Sequence, residues 1–187
     1  LVDEDGQAFS VSGASARQEA DRFTPAQDDS RLTAGLMWQT VERTAQDLGL
    51  DTEVTAFCPR QDNVEILCIT VRNQQEQPRW LTPIAAVPLY GRSADNIRDH
   101  RNVTSMLHRI WTTENGVMVR PTMSFDERGH RPNHKVYYVE GFGPEGQKPE
   151  AFYPTVESFL GEGGTYLHPR AVYCLLYTSD AADDLTR

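Results

Sequence analysis

The sequence predicts an all-β fold, an antiparallel β-sandwich carrying one or two short helices. Three observations predict it. Short runs rich in valine, isoleucine, threonine and aromatics recur at strand length from Glu53 to Phe142. Turn chemistry separates them, with Asn115-Gly116 the clearest case. No repeat recurs at a solenoid or propeller period. Composition agrees: 39% hydrophobic and 24% charged residues describe a globular chain, and 187 residues suffice for one domain with a real core or two small ones.

Taken in order, Leu1–Asp29 is polar and loop-like. Asp5-Gly6 marks a turn, Phe9 and Val11 alternate with serines as in a short edge strand, and Arg17–Phe23 has the makings of a helical turn. Leu32–Thr44 is read as one strand leading to a turn at Asp47–Asp51, with a helix over Ala34–Leu48 as the alternative. Glu53–Phe57 is a strand that ends at Pro59. Asn63–Asn73 is apolar on both faces, which predicts a strand in the middle of the sandwich. Pro83 and Pro88 confine the apolar Arg79–Tyr90 run to edges or bulges.

Further on, Leu107–Thr113 and Val117–Met123 flank Glu114-Asn115-Gly116 as a hairpin. Ser124–Asn133 reads as a charged loop and His134–Phe142 as a strand. Pro154–Gly161 reads as a short helix with Pro154 in its first turn and Gly161 as its stop. A loop through Gly163-Gly164 and Pro169 follows. The residues from Cys174, CLLYTSDAADD, resemble the translation of a transposon-derived adapter used in preparing sequencing libraries. The expected organisation is an N-terminal ribbon over 1–31, a β-sandwich fragment over 32–173 that continues beyond Tyr173 in the natural protein, and a non-native tail over 174–187.

Several function classes are disfavoured. A net charge of −9 argues against a nucleic-acid-binding surface. No apolar run approaches the roughly 18–20 residues that span a bilayer. No phosphate-binding glycine loop or nucleophile elbow occurs. The five histidines have no metal-ligand spacing: His130 and His134 are separated by Pro132 and share no helix face. Cys58 and Cys68, in apolar strands, are expected to be buried reduced thiols, which fits a cytoplasmic protein. The aromatics Trp38, Trp80, Trp111, Tyr137, Tyr138 and Tyr153 suit sugar stacking, but strand aromatics more often belong to the core, and the core is the expectation.

One stretch concentrates polar chemistry: Gly91–Arg109, GRSADNIRDHRNVTSMLHR. Arg92, Asp95, Asn96, Arg98, Asp99, His100 and Arg101 are its candidate substrate or interface contacts. Guanidinium forks paired with carboxylate and amide groups suit a polyol or a phosphate. Asp95 with Arg98 and Asp99 at helical spacing suits a salt-bridged structural helix equally well.

Four stretches carry a family resemblance: EVTAFCPRQDNVEILCITVRN (Glu53–Asn73), IAAVPLYGRSADNIRDHRNVTSMLHRI (Ile84–Ile110), RPTMSFDERGHRPN (Arg120–Asn133) and FYPTVESFLGEGG (Phe152–Gly164). They resemble the N-terminal β-sandwich of glycoside phosphorylases of the cellobiose phosphorylase family (glycoside hydrolase family 94), and within it most closely the 1,2-β-oligoglucan phosphorylases. The resemblance implies a sandwich that precedes an (α/α)6 barrel in the intact enzyme. It implies inverting cleavage of β-glucosidic bonds of glucooligosaccharides by inorganic phosphate as co-substrate, with no other cofactor and no metal, in a homodimer. The general acid belongs to the barrel. No catalytic residue is therefore assigned to this chain, which by itself is expected to be inactive. A stand-alone carbohydrate-binding or dimerisation sandwich is the alternative.

Overall fold

The computed structural model describes residues 1–12, 29–89, 108–126 and 129–173. Every sheet is antiparallel, and two short helices complete the described fold, as expected of an all-β sandwich domain. The chain divides into two compact units, Leu1–Ile84 with Gly163–Arg187, and Ala85–Glu162.

The first unit is organised on a four-stranded meander of β2 (Asp29–Gly35), β3 (Trp38–Ala45), β4 (Leu50–Phe57) and β5 (Ile66–Asn73), in that spatial order. A two-stranded ribbon pairs β1 (Val2–Asp3) with β6 (Leu81–Thr82). The meander corrects the expectation of one strand over Leu32–Thr44. Two strands run there, joined by the tight turn Leu36-Met37, with Gly35 opposite Trp38. No glycine or asparagine sits inside that turn to announce it; Met37 itself takes a left-handed φ of 65°. The next turn is the anticipated one, with Gly49 at φ 61°.

Period-2 alternation gives this sheet two unlike faces. On one, Leu32, Val41, Val54 and Ile69 form an unbroken apolar row across the four strands. The core lies at one end of this face: Phe9, Ala45, Leu48 and Leu50 are buried together, and Leu1, Val11, Val71 and Leu81 pack around them. The expected edge strand at Phe9 and Val11 is replaced by a bridge from Val2 to Ala8, which delivers Phe9 into the core. A buried ion pair ties the N-terminal residues down. Asp3 Oδ2 accepts from Arg79 Nη2 at 2.9 Å, and Asp3 Oδ1 accepts from the amides of Asp5 and Gln7. Arg79 also donates to the Leu48 carbonyl.

Among the described residues β5 pairs with β4 alone, so it lies at an edge and not in the middle of the sheet. Leu67 and Ile69 remain about half exposed, at 50% and 49%. An apolar pattern on both faces reports what a strand is suited to bury; it does not supply the cover. For the same reason Cys68 is exposed and Cys58 half-buried, not buried as expected. The aromatics depart further from the core expectation: Trp38, Trp80, Trp111, Tyr137, Tyr138 and Tyr153 are all exposed, Trp80 at 82%.

The second unit holds a three-stranded sheet in which β8 (Gly116–Pro121) lies between β7 (His108–Thr112) and β11 (Tyr137–Glu140). The Asn115-Gly116 hairpin forms as expected, for a different reason. Neither residue takes a positive φ. Gly116 is required because a Cβ there would strike the Val139 carbonyl on the adjacent strand. Ser124–Asn133 is not a loop: β9 (Met123–Asp126) and β10 (Gly129–Pro132) pair as a second hairpin, with Gly129 at φ 97°. The predicted helix is α1 (Val156–Leu160). Pro154 stands before the N-cap and not in the first turn; Thr155 caps, accepting from the Ser158 amide at 3.1 Å, while Ser158 Oγ accepts from the Thr155 amide. In the first unit, α2 (Arg170–Tyr173) adds a helical turn where a loop was expected.

Candidate functional site

The polar segment singled out by sequence lies almost wholly outside the described residues: Arg92, Asp95, Asn96, Arg98, Asp99, His100 and Arg101 all belong to 90–107. Its last two members are described. His108 and Arg109 open β7, opposite Pro121 and Arg120.

The described polar constellation that sequence reasoning missed is the second face of the β2–β5 sheet. Register assembles it in rows. Asp29, Thr44, Asp51 and Arg72 form one row, and Arg31, Glu42, Glu53 and Thr70 the next. Thr33, Thr40, Thr55 and Cys68 follow, then Gly35, Trp38, Phe57 and Ile66 at the far edge. The face thus grades from charge through hydroxyls to aromatic rings. A shallow open depression of about 290 Å³ lies over the two charged rows.

The electrostatics are loose. Arg31 Nε stands 4.0 Å from Glu42 Oε2, and Arg72 Nη2 3.9 Å from Glu53 Oε2, with all four side chains substantially exposed. Such pairs contribute roughly 0–1 kcal/mol each, so their donors and acceptors stay available to an incoming ligand. Asp51 is better held, accepting from Thr44 Oγ1 at 2.9 Å and from the Gln74 amide nitrogen. The hydroxyls of Thr40 and Thr55 share a hydrogen bond of 2.9 Å. At the aromatic edge, a Cβ on Gly35 would collide with the Trp38 indole, so the ring rests on the bare backbone of β2.

No group of three or more histidine, cysteine, aspartate or glutamate side chains among the described residues is arranged to hold a metal ion. No helix among them is long and apolar enough to cross a membrane. Elsewhere in this unit, His168 and Tyr173 stack with ring centroids 3.7 Å apart, and burial pushes the Tyr173 phenol above its ordinary pKa. The polar face is equipped for hydrogen bonding and ring stacking. It offers neither a nucleophile–base pair nor an enclosed site that excludes water. The alternation that builds it is present in each strand, but only cross-strand register brings Arg31, Glu42, Glu53 and Thr70 into one line.

A family model described as glycosyl hydrolase 94, supersandwich domain, matches residues 3–183. No curated protein matches the chain.

Proposed function

The chain belongs to the glycosyl hydrolase 94 supersandwich family, and from that premise we propose that it is the sandwich portion of an inverting glycoside phosphorylase acting on β-linked glucooligosaccharides. The observation that carries this is the family match across residues 3–183, on a chain built of antiparallel sheets. The four stretches resembling 1,2-β-oligoglucan phosphorylases favour that linkage.

In the reaction, phosphate oxygen attacks the anomeric carbon from the face opposite the leaving group. The glycosidic C–O bond breaks, a C–O bond to phosphate forms, and a carboxylic acid gives its proton to the departing oxygen. The products are a sugar 1-phosphate of inverted configuration and a saccharide shortened by one unit. Phosphate must outcompete water, which calls for an enclosed site. The open sheet faces described above do not suit that task, and the acid and the phosphate pocket are assigned to an (α/α)6 barrel following the sandwich. The sandwich supports that barrel and contributes to a cytoplasmic homodimer. The segment from Arg92 to Arg101 is assigned to these interfaces more than to substrate. The exposed Trp38 and Trp80 favour a second reading, a carbohydrate-binding or dimerisation sandwich without catalytic role.

The test compares the 187-residue chain with the protein extended through its natural downstream reading frame. With 1,2-β-glucooligosaccharide and phosphate, the short chain is expected to release no glucose 1-phosphate, and the extended protein to release the α-anomer, read by proton NMR. Glucose 1-phosphate from the short chain would overturn the assignment of the acid to the barrel. A reading frame without a helix-rich continuation would overturn the phosphorylase reading.

A further inference from the structure

The aromatic edge of the polar sheet face has no structural task among the described residues. The core of this unit uses the other face of the sheet, where Leu50 and Ala45 are buried. The polar face has no buried cluster of its own among the described residues, and its far row presents Trp38 at 43% exposure beside its cross-strand partner Phe57, with Ile66 next to Phe57. An exposed apolar cluster on an otherwise hydrophilic face marks a surface that meets something. The ring is also pre-set. Gly35 lies directly opposite Trp38 and lacks the Cβ that would lift the indole off the strand. One face of the ring therefore rests on backbone, and Trp38 keeps its exposed surface for stacking among the described residues.

The neighbouring rows specify what would stack. Beyond the aromatic row comes the Thr40–Thr55 hydroxyl pair, and beyond that Glu42 and Glu53 with Arg31. At about 3.3 Å per residue, the distance from the Trp38 row to the Glu42 row is roughly 13 Å, enough for two or three pyranose rings. A gluco-configured pyranose in β-linkage keeps its ring substituents equatorial. Its two faces are then flat C–H surfaces suited to an indole, and its rim is a belt of hydroxyls that both donate and accept. Carboxylates, threonine hydroxyls and guanidinium groups complement that belt. Charge argues against a polyanion, because Asp29, Glu42, Asp51 and Glu53 outnumber Arg31 and Arg72 in the two charged rows. We propose that this face, with Trp38 as its stacking platform, holds a neutral β-linked glucooligosaccharide at a site separate from any catalytic centre. The proposal rests on the saccharide chemistry of the reading above, but not on phosphorolysis.

The experiment titrates the 187-residue chain with β-linked glucooligosaccharides of three to six units, without phosphate, and follows tryptophan fluorescence and calorimetric heat. Saturable binding is expected, weakened roughly tenfold or more in Trp38→Ala, as for a central aromatic contact, and retained in Trp38→Tyr. Gly35→Ala, which displaces the ring, is expected to weaken binding while circular dichroism stays unchanged; it keeps the proposal falsifiable should Trp38→Ala fold poorly. No saturable signal at millimolar saccharide, or equal binding by wild type and both weakening variants, overturns the proposal. So does a shift of oligomeric state in Trp38→Ala without saccharide binding, which would make this face a contact between copies. Binding without phosphorolysis in the extended protein upholds this site and overturns the phosphorylase reading alone.

Discussion

The two ends of the four-stranded sheet are made of the same strands in one continuous register, yet one is packed and the other open. At the Gln46–Gly49 turn, Ala45 and Leu50 are sealed under Phe9 and Leu48, with Leu50 only 1% exposed. Towards the Leu36-Met37 turn, Leu32, Leu67 and Ile69 lie on the same apolar face and stay half exposed or more. The strands do not differ in hydrophobicity enough to explain this. What differs among the described residues is the cover: residues 1–11 and β6 fold over one end, pinned there by Asp3 and Arg79. Burial is thus a property of the lid as much as of the strand: without one, only the small Ala56 is buried at the open end, while the large side chains around it stay exposed.

Four substitutions break or sharpen that contrast, each read from the urea midpoint. Leu50→Ala removes the most enclosed side chain of the packed end and is expected to cost about 3–5 kcal/mol. Asp3→Ala releases the lid: Arg79 loses its carboxylate and two amides lose their acceptor, for an expected loss of about 2–3 kcal/mol. A loss close to zero would mean that Phe9 holds the lid without the ion pair. Met37→Gly relieves the left-handed φ at the open turn and is expected to raise stability by about 0.5–1 kcal/mol. Ile69→Ala, on the open stretch of the apolar face, is expected to cost less than about 1 kcal/mol, because half of its surface already meets water. A cost matching that of Leu50→Ala would show the open end to be covered in solution.

Much of the fold was legible in local chemistry. Glu53–Phe57, the Asn115-Gly116 hairpin, the Tyr137–Glu140 strand and the helix ending at Gly161 all follow from alternation and turn residues. The Leu36-Met37 turn was hidden because it spends a strained methionine where glycine would have announced it. The β9–β10 hairpin was hidden because the charged run Asp126-Glu127-Arg128, followed by Gly129 and Pro132, reads as loop chemistry and outweighs the short alternation of Met123 and Phe125. Gly116 was singled out correctly as a hairpin glycine, but its reason, the Val139 carbonyl, lies on another strand. The candidate site divides in the same way. Arg92 through Arg101 stood out by local crowding and Trp38 only as one aromatic among six, whereas Thr40, Glu42, Thr55, Phe57 and Glu53 never stood out, being dispersed over two strands.

By itself the sequence determined that this chain is antiparallel β, where most of its turns fall, and which strands carry apolar side chains on a face. These are properties of a few consecutive residues, set by steric preference and by period-2 alternation. Only the tertiary structure decided that β5 pairs on one side alone among the described residues, that the three tryptophans are exposed, and that a graded polar face runs from Arg72 to Trp38. Those features depend on register and on cover, and both join residues far apart in the chain through free energies that no single segment contains.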